Sequence, residues 1–502
     1  MADSKQPPPV IASSPPTYDI TKEAIWSKNE AEAESGSIDA LPSSVVGELD
    51  PHKERKLLIK LDLFFVPVIM LVYLTCYLDR SNIGNVKVAG MPEDIGASST
   101  QFSTAVSIFY ATYVSFETPA ALLMKKIGPR NLLTVLSTVW SLTTIFTGFI
   151  ENVGGLYATR LILGACEAGL FPSLNLYLTM VYKREEQAKR VSYLFSCTAL
   201  SGAFGGLLAY GLLQMDGVGG KAGWRWVYII EGILSVVAGL AVWFGLPNDP
   251  LKAYFLNEEE KEMMQIRYAQ GKRYMGSEEF DWKEVKWAFK DPKLYFSGAV
   301  QFCQDIVLYG FSTFLPSILK SMDYDTLESN ALTIPVYIFG ALVFWCTAFA
   351  SDRFSIRGPF VFFANFFGIA GYGLLIGNTS EAVKYFATFL IAITCYIGPG
   401  LNLTWLNVNV APHYRRAAAI GFQQTIGNCA GIVAGQIYRE SPYKLGNGFS
   451  LGAVCVSNFF IVGHAVYLIR WNRFKAMIAS GEAEDTRLNK TGDRELDFKY
   501  NI

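Results

Sequence analysis

The chain has 502 residues, of which 51% are hydrophobic and 17% are charged, and its formal net charge is −1. Soluble domains carry about 25% charged residues, so this chain has too few charges to cover the surfaces that a soluble protein of its length would expose. A near-neutral balance also gives no electrostatic reason to bind nucleic acid. The composition therefore indicates an integral membrane protein.

The first predicted element is a disordered cytosolic tail over residues 1–56. Its first 50 residues are rich in Pro, Ser, Glu and Ala, with no apolar periodicity and no signal-peptide core. Such a segment cannot bury enough apolar surface to offset its conformational entropy. The composition from about Ala479 to Ile502 is similar and predicts disorder there, within a cytosolic C-terminal tail over 476–502.

Twelve apolar runs lie between the tails, each about 20 residues long and so able to cross a bilayer core of about 30 Å as a helix. The runs are 58–80, 101–123, 132–150, 156–181, 190–213, 226–246, 295–319, 330–350, 358–377, 383–406, 417–437 and 449–471. A charged segment over 247–294 separates six runs within 57–246 from six within 295–475, as in transporters with two repeated halves. We therefore predict an all-α membrane protein with two pseudo-symmetric six-helix bundles joined by a cytosolic central loop.

Lys and Arg are concentrated in the loops after spans 2, 4, 8 and 10 and in the central loop. The loop after span 2 holds Lys125, Lys126 and Arg130, whereas the loop after span 3 holds no Lys or Arg. By the positive-inside rule, both termini and the central loop face the cytosol. We expect the plasma membrane, with a vacuolar or other internal membrane as the alternative.

Nothing in the sequence indicates an enzyme, a metal site or a cofactor. All eight cysteines lie in apolar runs and the three histidines are scattered, which is not a pattern for disulfides or zinc. The sequence also lacks a phosphate-binding G-x-x-x-x-G-K motif and a Ser/His/Asp arrangement.

Ionisable residues inside membrane spans are costly and therefore indicate function by default. Span 4 carries Arg160, Gly164 and Glu167 at positions i, i+4 and i+7, on one helical face. This face offers a guanidinium that can bind an anion and a carboxylate that can take up a proton. A substrate anion that neutralises the arginine would let the glutamate protonate, which couples the two. The alternative is a structural Arg–Glu pair.

Three other spans carry polar candidates whose roles the residues alone leave open. Asp79 and Arg80 end span 1, where a cavity role and a solvated helix end are both consistent with the residue count. Span 7 holds Gln301, Gln304, Asp305 and Tyr309, with positions 301, 305 and 309 on one face, and fits either a polar cavity wall or a contact between helices. Gln424 in span 11 fits either a substrate ligand or an interhelical hydrogen bond.

Charged residues near helix ends predict gates. Glu117 in span 2 and Glu231 in span 6 are interpreted as structural pairs or gate latches. A cluster after span 8, formed by Asp352, Arg353 and Arg357, can latch the inner helix ends in one state and release them in another. The alternative is that these charges serve only to keep the loop on the cytosolic side, as the positive-inside rule describes.

Three motifs taken together carry a resemblance to a known family. They are the segments 78–85 (Leu-Asp-Arg-Ser-Asn-Ile-Gly-Asn), 160–172 with Arg160, Gly164, Glu167 and Pro172, and 223–232 (Gly-Trp-Arg-Trp-Val-Tyr-Ile-Ile-Glu-Gly). The sequence over about 57–475 resembles the anion:cation symporter family of the major facilitator superfamily. Within that family it is similar to the fungal allantoate permease branch, which includes carriers for nicotinate, pantothenate and biotin.

The resemblance implies two bundles that rock about a central site and take up a small organic anion with protons. It implies that Asp79 and Glu167 serve proton coupling, and that Arg80 and Arg160 bind the substrate. The same resemblance matches Gln424 to a polar substrate ligand of span 11. We add Gln304 and Asp305 as candidate substrate ligands.

One departure from the family pattern concerns the loop after span 2. The family usually has Glu-x-Pro-Ser-Asn there, whereas this chain has Glu-Thr-Pro-Ala-Ala from Glu117 onward. The latch of the first half is therefore predicted to be weak, while the copy at Asp352–Arg357 is complete.

The predicted function is proton-coupled symport of a carboxylate metabolite or vitamin such as nicotinate, pantothenate or allantoate. We expect a monomer in the lipid bilayer whose partners are the anion and the proton. The alternatives are an exporter of a fungal secondary metabolite and a transport-dead nutrient sensor.

Overall fold

Helices dominate the computed structural model of this protein, which describes residues 49–275, 282–411, 413–487, 490 and 492–502. Nine helices among these residues are long and apolar enough to cross a membrane, and three more of similar length complete the bundle. In chain order the twelve are α1 (Pro51–Val88), α2 (Ser99–Ile127), α3 (Pro129–Thr147), α4 (Val153–Val181), α5 (Arg184–Leu213), α6 (Gly223–Gly245), α7 (Pro292–Lys320), α8 (Thr326–Phe354), α9 (Gly358–Ile376), α10 (Glu381–Val408), α11 (His413–Ile437) and α12 (Lys444–Ser480). Each predicted span overlaps one of these helices, so the twelve-helix prediction is confirmed.

Local sequence chemistry determines where the first helix begins. Asp50 caps α1 by accepting a hydrogen bond from the backbone nitrogen of His52 at 2.9 Å, and Pro51 occupies the first helical position, where a proline costs no hydrogen bond. The helix therefore begins within the segment predicted as a tail up to residue 56. The rest of that predicted tail, up to residue 48, lies outside the described residues.

The long helices pack as two sets of six, which we call the N half (α1–α6) and the C half (α7–α12). Within the N half the closest packing joins α3 to α6, α2 to α4 and α1 to α5, and within the C half it joins α9 to α10 and α7 to α11 and α12. Among the described residues, the closest packing between the halves joins α2 to α11, α5 to α8 and α1 to α7. A central pathway is thus bordered by these three pairs.

The two ends of the bundle differ in how closely the halves approach. We call the end where α1 begins the termini side and the end where α1 finishes the far side. On the far side, a Cβ atom added to Gly84 of α1 would lie 1.9 Å from the Thr313 carbonyl oxygen of α7. The Lys320 ammonium also donates to the Val88 carbonyl at 2.6 Å. The halves are therefore in close contact on the far side.

The central segment joins the two halves on the termini side, its first helix lying against the N half and its second against α11 of the C half. It contains helices Glu258–Met275 and Trp282–Lys290. The Glu54 carboxylate of α1 accepts from Lys183 at 2.7 Å and from Arg267 of the first of these helices. The pairs of Arg267 with Glu54 and Glu186 attach the first helix to the N half, and the pair of Glu284 with Arg415 attaches the second helix to α11.

The C-terminal segment is packed against the C half, so the prediction of an unstructured tail is wrong for its described residues. The Asp493 side chain is fully buried and accepts from Lys293 of α7, from Arg415 of α11 at 2.8 Å and from Tyr500 at 2.9 Å. Although burial opposes ionisation, the two cations hold the pKa of Asp493 below its ordinary value. One buried carboxylate, whose charge is balanced by two cations, thus anchors a segment whose composition alone indicates disorder.

Candidate functional site

A narrow cavity lies between the two halves near the middle of the bundle. The volume available to the centres of water molecules is about 30 Å³, so the cavity can hold roughly two waters. Its lining includes Arg80 and the rings of Tyr77 and Tyr110 from the N half, and Tyr309 and Tyr337 from the C half. The cavity therefore presents one guanidinium group among aromatic faces.

The Arg80 guanidinium is held by a buried ion pair with Glu167. Its Nε and NH2 atoms donate to Glu167 Oε2 at 3.3 and 3.2 Å, and the Cys76 thiol donates to the same oxygen at 3.3 Å. The guanidinium also lies 4.7 Å from the centroids of the Tyr77 and Tyr113 rings, close enough for cation–π attraction. Arg80 is therefore positioned by α4 on one side and by aromatic rings on the other.

Asp79 points into the N half and lies inside the protein. It is 1% exposed, and its Oδ2 accepts from the Ser235 hydroxyl of α6 at 2.8 Å. Nearby, the Asn82 amide donates to the buried Glu231 carboxylate. Helix α1 continues to Val88, which explains why these residues are internal although the predicted span ended at residue 80.

Arg160 has a different partner from the one that its spacing suggested. Its NH2 donates to the Tyr228 hydroxyl of α6 at 2.7 Å, and it is 2% exposed. The ion pair found for Glu167 among the described residues is with Arg80. An intrahelical Arg160–Glu167 pair is therefore not what holds this carboxylate.

In the C half, the structure separates the two adjacent candidates of span 7. Asp305 is buried and accepts from the Gln301 amide, with both carboxylate oxygens 3.1 Å from the nitrogen. Gln304 lies on another face and donates to Asn365 of α9 at 2.9 Å and to Ser457 of α12 at 2.8 Å. Because these bonds lie within the C half and away from the cavity lining, we leave Gln304 out of the proposed binding site.

The remaining candidate residues lie outside the cavity lining. Glu117 accepts from the Asn428 amide of α11 at 3.3 Å, which joins the halves. Gln424 is half-buried and is not among the residues that line the cavity. At the end of α8, Asp352 accepts from Arg357 at 2.9 Å, while Arg353 is exposed.

Of the aromatic residues of the site, sequence reasoning named only Tyr309, as part of a polar face of span 7. The rings of Tyr110 and Tyr309 pack against each other across the halves, tilted by 42° with centroids 4.7 Å apart. The sequence held one further indication of an aromatic cluster. Tyr73 and Tyr77 are spaced i, i+4 and so share a helical face, and their hydroxyls lie 3.5 Å apart. Lys87, whose ammonium lies 4.8 Å from the Phe314 centroid, was missed because it follows the predicted end of span 1.

The N-half cluster has more acids than bases. Three buried carboxyl groups, Asp79, Glu167 and Glu231, accompany two guanidinium groups, Arg80 and Arg160. Uncompensated charge in a membrane interior is costly, so one bound proton would make this cluster neutral. Such a cluster can exchange a proton when an external anion changes the charge balance.

Comparison with protein families matches residues 69–435 to the model described as "Major Facilitator Superfamily". The chain belongs to the major facilitator superfamily. As a member of it, the protein is a secondary membrane transporter, and its helices take the twelve-helix arrangement of that superfamily.

The relatives of this superfamily member are fungal transporters. It is 49% identical over 453 residues to "Uncharacterized transporter C1683.12" of Schizosaccharomyces pombe, covering 90% of this chain and 94% of that one. It is 32% identical over 489 residues to the "High-affinity nicotinic acid transporter" of Saccharomyces cerevisiae, covering 95% and 90%. A solved structure of a D-xylose-proton symporter shares the fold, with a TM-score of 0.61, 12% identity and coverage of 79% and 97%.

Proposed function

We propose that this transporter imports a small organic anion together with protons by alternating access. The observation that carries the proposal is the buried Arg80–Glu167 ion pair beside the central cavity. Arg80 is the cation that an anion entering the cavity meets first, and a guanidinium binds a carboxylate through paired hydrogen bonds. A bound substrate would compete with Glu167 for the same donors.

This competition couples binding of the anion to binding of a proton. Once Arg80 turns to the substrate, Glu167 loses its cation while it stays buried, so binding a proton becomes favourable. Within the described residues its Oε1 atom has no hydrogen-bond partner, which leaves a position for that proton. Release of the anion restores the ion pair and expels the proton.

The other N-half residues assist in this proposal. Arg160 supplies a second cation beside α6, and Asp79 is a second carboxyl able to carry a proton within the same cluster. Glu117 and the pair Asp352–Arg357 act as gates between and beneath the halves.

The substrate class follows from one guanidinium at a cavity lined by tyrosines, which suits a monocarboxylate with a planar group. The 32% identity to a nicotinic acid transporter supports nicotinate as the first compound to test and a place in the allantoate permease branch of the anion:cation symporters. The Lys- and Arg-rich loops follow helices that end on the termini side. We therefore assign this side to the cytosol and the protein to the plasma membrane.

The decisive experiment measures uptake of labelled nicotinate, pantothenate, allantoate and biotin in cells that lack their own carriers. We expect one of these acids to accumulate at about pH 5 and less at about pH 7.5, with loss of accumulation on adding a protonophore. Uptake that is indifferent to both treatments would overturn proton coupling. Faster efflux from preloaded cells, without uptake, would assign export instead.

A further inference from the structure

Three side chains form a hydrogen-bonded bridge between the two halves, from Glu117 of α2 through Asn428 of α11 to Tyr309 of α7. The Asn428 amide nitrogen donates to Glu117 Oε2 at 3.3 Å, and the Tyr309 hydroxyl donates to Asn428 Oδ1 at 2.6 Å. All three side chains are buried. Each polar atom of the Asn428 side chain is thus engaged, one with each half.

The bridge reaches the central cavity at one end. Tyr309 lines the cavity together with Arg80, and its ring packs at a tilt against that of Tyr110 from the N half. Any molecule that occupies the cavity therefore contacts the residue that orients Asn428. The gate residue Glu117 is one further hydrogen bond away.

The bridge lies near the middle of the bundle, next to the closed far side. Beyond it, toward the far side, α2 and α11 are in tight contact. A Cβ atom on Gly431 would lie 2.3 Å from the Tyr110 ring, and the Ser107 hydroxyl donates to the Ile432 carbonyl at 2.9 Å. Opening the far side requires these two helices to separate, which pulls against the Glu117–Asn428 bond.

We propose that Tyr309 and Asn428 are positioning residues that link occupancy of the cavity to the contact between the halves. With the bridge formed, the closed far side is stabilised. A ligand that draws the Tyr309 hydroxyl away releases Asn428 and weakens its bond to Glu117, so the far side opens more readily. This proposal adds a transmission route to the proposed function and depends on that function only for the identity of the ligand.

The expected size of the effect follows from the bonds involved. A buried hydrogen bond contributes a modest net amount, so losing one should change the ratio of far-side-open to far-side-closed molecules about 2- to 10-fold. Because Tyr309 and Glu117 act through the same asparagine, breaking the bridge at both places should change the ratio no more than breaking it at one.

The experiment measures the far-side distance between the halves by double electron–electron resonance in the full-length purified protein. Spin labels are placed at Val218 before α6 and Leu445 at the start of α12, both exposed, after the exposed Cys346 and Cys455 are changed to serine. The bridge variants are Tyr309→Phe and Asn428→Leu.

The matched control is Tyr337→Phe. Tyr337 also lines the cavity, but its hydroxyl donates to the Ser312 carbonyl within the C half at 2.9 Å. Without any ligand, we expect both bridge variants to gain the longer far-side distance and the control to match the parent protein. Equal distributions in Tyr309→Phe and Tyr337→Phe, or an additive shift when Tyr309→Phe is combined with Glu117→Ala, would overturn the proposal.

A second arm adds nicotinate as the probe. We expect it to lengthen the far-side distance in the parent protein and to have little effect in Tyr309→Phe, where the bridge is already broken. An equal response in the two proteins would contradict a route through Tyr309. No response in the parent would count against nicotinate as the substrate, while the ligand-free comparison would still decide whether the bridge exists.

Discussion

Arg80 and Glu167 lie 87 positions apart in the chain, yet the guanidinium of one donates two hydrogen bonds to a single carboxylate oxygen of the other. The pair is buried at the edge of the central cavity. Arg80 lines the cavity, whereas Glu167 lies behind it and accepts from the thiol of Cys76. The proposed exchange of partners depends on this asymmetry, which leads to the first two predictions.

Replacing Glu167 by glutamine should separate binding from proton-driven accumulation. The amide keeps the size of the side chain and an oxygen that accepts from Arg80, but it cannot take up the proton. We expect the variant to exchange labelled for unlabelled substrate while failing to concentrate it when the outside is acidified. The control is Glu151→Gln, an exposed acid that precedes α4, and full pH-driven accumulation in Glu167→Gln would contradict the coupling role.

Replacing Arg80 by lysine should weaken substrate binding. An ammonium group keeps the charge but loses the planar fork that pairs with a carboxylate, so we expect the apparent affinity to fall about 10- to 100-fold. The same change at Arg160 should be milder and should resemble Tyr228→Phe, because the Tyr228 hydroxyl is its hydrogen-bond partner. Concentration dependence of uptake measures all three, and an unchanged affinity in Arg80→Lys would exclude it as the anion ligand.

Adding a methyl group at Gly84 should prevent the far side from closing. A Cβ atom there would lie 1.9 Å from a backbone oxygen of α7, whereas one at Gly211 of α5 would meet nothing within 4 Å. Backbone cannot move aside as a flexible side chain can, so Gly84→Ala should abolish uptake while Gly211→Ala should retain it. Both proteins should reach the membrane in equal amounts, and normal uptake by Gly84→Ala would show that this contact is dispensable.

Removing the Asp493 carboxylate should release the C-terminal segment. Asp493→Asn removes the anion shared by Lys293 and Arg415 but leaves them Asp291 and Glu284 as partners, so we expect a loss below about 3 to 5 kcal/mol, the cost of a fully uncompensated buried charge. We expect a lower melting temperature of the purified protein and faster hydrogen exchange over residues 492–502. The exposed Asp497 supplies the control, Asp497→Asn, which should behave as the parent.

The pH dependence of this contact has a defined sign. The pKa of Asp493 is held below its ordinary value by the neighbouring cations, despite burial. Its stabilising effect is therefore complete above about pH 4 to 5 and is lost as the pH falls through the lowered pKa. The difference in melting temperature between the parent and Asp493→Asn should stay constant between about pH 5 and 8 and shrink only in stronger acid. A difference that shrinks already between pH 8 and 6 would contradict the assignment to this carboxylate.

The fold was largely predictable from the sequence. Each of the twelve spans is a local property, since the free energy of placing a run of about 20 residues in lipid depends on their composition alone. The same scarcity of charge reduced the candidates to a few, and Asp79, Arg80, Arg160 and Glu167 all lie buried in the N half. Helical periodicity could place Arg160 and Glu167 on one face, but not beside any particular partner.

Tertiary packing determines which of these side chains pair with one another. Glu167 pairs with Arg80, Arg160 with Tyr228, and Asn428 with a glutamate of the other half. Such contacts join distant parts of the chain, so they depend on how helices rotate and approach one another, which spacing within one helix does not encode. The C-terminal segment differs from its prediction for the same reason, because the cations that bind Asp493 come from α7 and α11 and only the folded bundle brings them together.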